Sequence, residues 1–160
     1  MHGYIEQCKR LGLDIVEVST GFVTVPPDDV VRLVERVQQA GLKAKPEVGI
    51  QFGAGGATRP EDLAAAGTRD VTLASDLAHR CLDAGAHRSM IESEGITEAV
   101  STWRTDVVTA IVGGLGLERV MFEAADPRVF TWYLQNYGAE VNHFVDHSQI
   151  VQLECLRQGI

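Results

Sequence analysis

No stretch of this 160-residue chain gathers its lysines and arginines into a cluster, and with 22 acidic against 14 basic residues the formal charge is −8. Nucleic-acid binding needs dense positive charge to displace phosphate counterions, and anionic membranes call on the same charge. Neither is expected as a partner. Long apolar runs are missing too. The longest, around Val107 to Leu117, is interrupted by Gly113, Gly114 and Gly116 and falls short of the ~20 residues of a bilayer-spanning helix. The first residues carry no apolar stretch of the secretory type, and a cytoplasmic location is expected. Cysteine is scarce: Cys8, Cys81 and Cys155 stand far apart, each within a helical pattern and without a CxxC rhythm, as reduced, packing thiols would. Aromatic residues make up only 6% of the chain.

What is present is aliphatic and periodic. The chain is 45% hydrophobic, without a break in composition, so residues 1–160 are expected to form a single domain. Gly3 to Leu11 has helical spacing (Tyr4, Ile5, Cys8, Leu11) and stops at Gly12, a glycine suited to ending a helix in the left-handed region. Leu13 to Ser19 reads as a strand, and Asp28 to Ala40 as an amphipathic helix with Pro26 and Pro27 at its mouth.

The unit then recurs. Lys43 to Val48 is a strand, Gly49 to Asp70 a glycine-rich loop with a short helix at Pro60 to Ala66, and Thr72 to Ala84 a helix. His87 to Glu92 is a strand, Thr97 to Val112 a helix, and Glu118 to Ala124 a strand. Asp126 and Pro127 open a helix that ends at Gly138, followed by a strand over Ala139 to Phe144 and a helix over Ser148 to Arg157. Strands alternating with helices at this spacing predict a parallel α/β sheet with right-handed crossovers, either open and doubly wound or part of a (β/α)8 barrel.

Acidic residues recur at one place in this pattern. Glu17, Glu47, Glu92 and Glu123 each lie near the C-terminal end of a successive strand, and Asn142 takes the matching place in the fifth. In a parallel sheet these ends share one face, which in barrels holds the active site. Carboxylates gathered there repel unless protonated, paired with a cation or bridged by a metal. The hard, oxygen-seeking Mg2+ is the natural partner, so Glu17, Glu47, Glu92 and Glu123 are the expected metal ligands. Any one of them could instead be an N-cap, an ion-pair partner or a solvated loop residue, but the recurrence of one residue type at four strand ends favours a shared site.

Other features carry less. His143 and His147 are spaced i, i+4 but straddle a strand-to-helix junction and lack an HExxH pattern. The Gly53-Ala54-Gly55-Gly56 loop is either a phosphate cradle or a loop covering the site. Ser19-Thr20-Gly21 is either an anion-binding turn or a plain one. Trp103 and Trp132 fall on helical faces and are expected in the core.

Six short motifs, in order, resemble the phosphosulfolactate synthase family. A Glu-hydrophobic-Ser-Asp-Gly strand end is similar to Glu17-Val18-Ser19-Thr20-Gly21, and Ser-Glu-Val-Gly to Pro46-Glu47-Val48-Gly49. Ile-Glu-Ala-Arg-Glu-Ser-Gly is similar to Ile91-Glu92-Ser93-Glu94-Gly95, and Phe-Glu-Ala-Pro to Phe122-Glu123-Ala124-Ala125. Gly-Pro-Asn-Val-Asn resembles Gly138-Ala139-Glu140-Val141-Asn142, and Leu-Glu-Thr-Leu-Arg-x-Gly-Leu resembles the tail from Leu153 to Ile160.

The resemblance implies a magnesium-dependent barrel that adds sulfite to phosphoenolpyruvate in coenzyme M biosynthesis, with plant heat-stress-associated relatives. It further implies that this chain corresponds to strands four to eight of a (β/α)8 TIM-type barrel. Five such strands leave two open edges, so a piece of a longer protein, a truncated homologue or a chain that pairs with a second copy is expected; a homo-oligomer belongs to that expectation. The implied substrate is a small anionic carboxylate, with Ser19, Lys45 and Asn142 as substrate-binding candidates and Glu47, Glu92 and Glu94 as catalytic ones. Of the two neighbouring acids Glu92 and Glu94, one is expected to keep a proton and deliver it to carbon.

The chain also departs from the family. Ile50-Gln51 replaces a Lys-Lys pair, and the arginine after Glu92 is absent. Both changes remove positive charge that phosphate or sulfite would use. Lys45, two residues before Glu47, compensates in part if it shares that face. The competing expectation is a non-catalytic barrel relative that acts as a stress-associated or interaction protein.

Overall fold

The computed structural model describes residues 2–20, 25–50 and 71–160. Helix α1 (His2–Arg10) precedes strand β1 (Ile15–Val18), helix α2 (Pro27–Gln39) and strand β2 (Lys43–Val48). Then follow α3 (Thr72–Asp83), β3 (Ser89–Ile91), α4 (Thr105–Leu115), β4 (Val120–Glu123), α5 (Pro127–Tyr137), β5 (His143–Phe144) and α6 (Ile150–Gln158). The glycine-rich segment, its expected short helix at Pro60 to Ala66, and Gly21 of the first strand-end turn lie outside the described residues.

All four strand pairings are parallel and the strands run in chain order, β1-β2-β3-β4-β5. Burial chooses between the two architectures left open by the pattern. In β2, Ala44, Pro46 and Val48 are buried while Lys45 and Glu47 are only partly covered; in β4, Val120 and Phe122 are buried while Met121 and Glu123 are not fully so. A doubly wound sheet has helices over both faces. Here the buried face packs on the helices and the other stays accessible, as in a barrel wall seen from inside, and the five strands form a curled half-barrel.

The core lies between sheet and helices and has two parts. Ile5, Cys8, Val16, Val18, Val30, Val34, Val37 and Ala44 pack around β1, β2 and α2. Ile91, Ile96, Val107, Ile111, Phe122, Phe130 and Tyr133 pack around β3 to β5. Each fully buried aliphatic side chain contributes about 1.5–3 kcal/mol. The helix α2 shows how sequence writes such an element: Pro27 opens it, Asp28 and Asp29 occupy its first turn, and Val30, Val34 and Val37 form its buried stripe. Lys9 of α1 closes its far end by donating to the Ala40 carbonyl at 2.9 Å. Cys8 and Cys81 are buried free thiols and Cys155 is partly covered; burial pushes the Cys81 thiol up to about 11. Trp103 and Trp132 border the second core part and meet edge to face, 6.4 Å between centroids.

One helix differs from its sequence pattern. Residues 97–104 are not helical, and α4 begins at Thr105. The Ser93 carbonyl accepts three backbone N–H groups, from Ile96, Thr97 and Glu98 at 2.9 to 3.1 Å, and Ala99 sits at a φ of 55°. This turn competes successfully with helix nucleation, which fixes several residues for its first hydrogen bond. At its other end α4 runs through Gly113 and Gly114 to Leu115 and is closed by Gly116 at a φ of 87°.

Candidate carboxylate site

Parallel register places the acidic residues at different heights. Glu17 pairs with Lys45, Glu47 with Met90, and Glu123 with Phe144. Glu92 follows the last residue of β3, and its backbone N–H still donates to the Val48 carbonyl at 3.1 Å. Alternation puts Glu17, Lys45, Glu47, Met90, Glu92, Met121 and Glu123 on the face away from the helices, where Met90 alone of these is fully covered. There Glu47, Glu92 and Glu123 converge, each offering a carboxylate oxygen within 4.8 Å of the others.

Glu17 lies one layer lower, and its carboxylate pairs with the Lys45 ammonium at 3.0 Å. Among the described residues it is not part of the group that converges. The Lys45 side chain, only 12% exposed, also lies 4.8 Å from the Phe144 ring centroid and 3.3 Å from the Met90 sulfur. A cation therefore occupies the middle of the inner face, held by β1 and packed against β3 and β5.

Glu92 and Glu123 hold a proton unequally. Burial pushes the Glu92 carboxyl up to about 9, reinforced by hydrogen bonding with Glu123 and Glu47 and by repulsion from both. For Glu123 burial also acts upward, but it is outweighed by hydrogen bonds from Glu92 and from the Ser93 N–H and hydroxyl, and by the charge of Lys45, so its carboxyl falls below the ordinary range. At neutral pH the pair is one acid and one carboxylate.

The remaining candidates are placed as follows. The Ser19 hydroxyl donates to Glu47. Glu94 lies in the turn after β3, bridged to Glu98, and is outside the converging group. Asn142 does not match Glu123 in register, since Phe144 does; the Asn142 carbonyl accepts from the Phe122 N–H at 2.9 Å, one layer below the strand ends. The two histidines share no site: both ring nitrogens of His143 are buried without partners, whereas His147 is almost fully exposed beside Asp146. Ser93 was not singled out from the sequence. It is 6% exposed, with its N–H on Glu92 and Glu123 at 3.1 and 3.3 Å and its hydroxyl on Glu98 and Glu123 at 2.7 and 3.0 Å. A lone serine after a strand-end glutamate carries no spacing signal that would have revealed this.

An all-oxygen donor set on one face, with the strand order of a barrel wall, is what the short motifs led one to expect, and the family sequence model of (2R)-phospho-3-sulfolactate synthase (ComA) matches residues 1–160. The chain belongs to the phosphosulfolactate synthase family. It is 36% identical over 164 residues to Protein HEAT-STRESS-ASSOCIATED 32 of Arabidopsis thaliana, covering 96% of this chain and 57% of that protein. Phosphosulfolactate synthase of Methanothermobacter thermautotrophicus is 25% identical, with 98% of this chain and 60% of the relative covered. That of Methanocaldococcus jannaschii is 22% identical, with 98% and 61% covered. The chain thus spans about three-fifths of the length of these family members. Among solved structures, a putative phosphonomutase from Burkholderia cenocepacia superposes with a TM-score of 0.55 at 16% identity, over 89% of this chain and 64% of that one. That likeness concerns the fold alone. Among the described residues, no helix is long and apolar enough to cross a membrane.

Proposed function

We propose that this family member acts as a phosphosulfolactate synthase-like lyase, adding sulfite or a related nucleophile to phosphoenolpyruvate or a similar small carboxylate in the cytoplasm. The observation that carries the reading is the meeting of Glu47, Glu92 and Glu123 within 4.8 Å at three successive strand ends. Carboxylate oxygens are the donors a hard divalent cation such as Mg2+ prefers, and the three acids fit it better than they fit each other. Glu47 and Glu123 are assigned as its charged ligands. Bound there, Mg2+ would supply Lewis-acid stabilisation of negative charge on a substrate carboxylate.

The chain's own residues do the rest. As the nucleophile bonds to the terminal carbon of the alkene, the π electrons move toward the conjugated carboxylate, and the carbon next to it then takes a proton. Glu92, which holds its proton at neutral pH because it is buried among like charges, is the donor. Ser19 orients Glu47 through its hydroxyl. Lys45 places positive charge below the site, on the face where an anionic substrate would lie.

A second reading is favoured by the 36% identity to the plant heat-stress-associated protein and by Ile50-Gln51 in place of a lysine pair: a family member that keeps the fold for interaction rather than catalysis. Calorimetry with Mg2+ and phosphoenolpyruvate on the purified chain separates the two, with Glu92→Gln as the companion variant. The synthase reading expects heat for both ligands, cation binding retained in Glu92→Gln because glutamine imitates the protonated acid, and turnover lost. Absence of heat with either ligand removes it in favour of the interaction protein.

A further inference from the structure

We propose that Ser93 is a positioning residue for the Glu123 carboxylate and that, through the Ser93 hydroxyl, the exposed Glu98 adjusts how tightly the site holds a divalent cation. The inference rests on the cation reading above and concerns residues that would not touch the cation.

Ser93 reaches both the acid and the carboxylate of the pair. Its N–H lies 3.1 Å from a Glu92 oxygen and 3.3 Å from Glu123 Oε2. Its Oγ is 3.0 Å from the same Glu123 oxygen and 2.7 Å from Glu98 Oε2. A serine hydroxyl has one proton, so these two carboxylates compete for a single donor. When the proton turns to Glu123 it fixes that carboxylate's orientation, but takes one lone pair and part of the charge that a cation would use. When it turns to Glu98, Glu123 Oε2 faces the lone pairs of Oγ and is left free, and poorly satisfied, until a cation arrives. Glu98 therefore acts as the alternative acceptor that lightens the hydroxyl's hold on Glu123, while the Ser93 hydroxyl and N–H together keep that carboxylate aimed.

The turn that delivers Glu98 to this position is built from the same residue. The Ser93 carbonyl accepts the N–H groups of Ile96, Thr97 and Glu98, and the Gly95 N–H donates to the Glu98 carbonyl at 2.9 Å. One buried residue thus ties the turn, the outer carboxylate and the inner one together. Hydrogen-bond partners behind metal ligands commonly change affinity by about 10–100-fold. Ser93 retains its N–H in any substitution, which places the expected effect at the lower end.

The test is Mg2+ and Mn2+ titration calorimetry on wild type, Ser93→Ala, Ser93→Thr, Glu98→Gln and the double variant S93A/E98Q, with thermal melting of each. Expected are a loss of about tenfold in affinity for Ser93→Ala, near wild-type affinity for Ser93→Thr, and a loss of about threefold for Glu98→Gln that disappears in the S93A background. Melting temperatures should be similar. If Ser93→Ala fails to fold, Glu98→Gln still decides, because its side chain is at the surface. Wild-type affinity in both single variants, or equal and additive losses in the double variant, overturns the proposal while leaving the cation site standing. No cation binding by the wild type overturns both.

Discussion

Replacing His143 by leucine should make the protein more tolerant of acid. His143 is in register with Phe122, on the buried side of β5, its ring 5.3 Å from that of Tyr133, and neither ring nitrogen has a hydrogen-bond partner. Burial, helped by the nearby Arg157 charge, lowers its pKa from 6.5 to about 4. The folded state thus binds the proton less readily than the unfolded chain. The contribution is present in full above the unfolded value and is lost as pH falls through the window from 6.5 toward 4. The full difference is worth roughly 3.4 kcal/mol, of which roughly 2 kcal/mol is lost on going from about pH 7.5 to about pH 5. Leucine has no proton to take up and no orphaned nitrogens, so His143→Leu should be at least as stable as wild type at the higher pH. Urea unfolding of both proteins at the two pH values gives the double difference, in which all other titrating groups, Glu92 included, cancel. A wild-type loss no larger than that of the variant would show that the imidazole has found water or a partner and that the reasoning is wrong.

Three more outcomes are expected. Lys45→Met removes the positive charge at the centre of the inner face, so calorimetry should register Mg2+ binding tightened by about threefold and phosphoenolpyruvate binding weakened by about tenfold or more, the two ligands responding in opposite directions. Without divalent cation, the NMR shift of the Glu92 carboxyl carbon should show it giving up its proton only as pH rises through about 9; titration in the ordinary carboxyl range would assign the held proton elsewhere. Phe122→Ala empties a site that is 1% exposed and stacked on Tyr133 at 4.6 Å, and urea unfolding should show a loss of about 3–5 kcal/mol.

Much of the architecture was legible along the chain because each element is marked locally. Pro27 and the two aspartates after it open α2, valines three and four apart fill its inner stripe, and Asp126-Pro127 caps and opens α5, with the Asp126 carboxylate accepting from the Arg128 N–H at 2.8 Å. The stretch from Thr97 to Arg104 misled for an equally physical reason. Its residues have helical spacing, but its start is set by bonds that converge on the Ser93 carbonyl and its end by the Arg104 N–H donating back to the Ile96 carbonyl at 2.8 Å, and such non-periodic bonds leave no period to read.

The site divides along the same line. Strand-end position and residue type were enough to single out Glu47, Glu92 and Glu123, since the ends of parallel strands must share a face. They were not enough to separate Glu17, which register sets opposite Lys45 and so turns into an ion-pair partner, or to see that Phe144 rather than Asn142 is level with Glu123. Register depends on how neighbouring strands slide past one another, a property of the packed sheet. Protonation depends on which charges and dipoles are brought within a few ångströms. The order of strands and helices and the supply of acids were therefore set by the sequence alone, while the tertiary structure decided which acids meet, which of them keeps its proton, and that Ser93 stands between them.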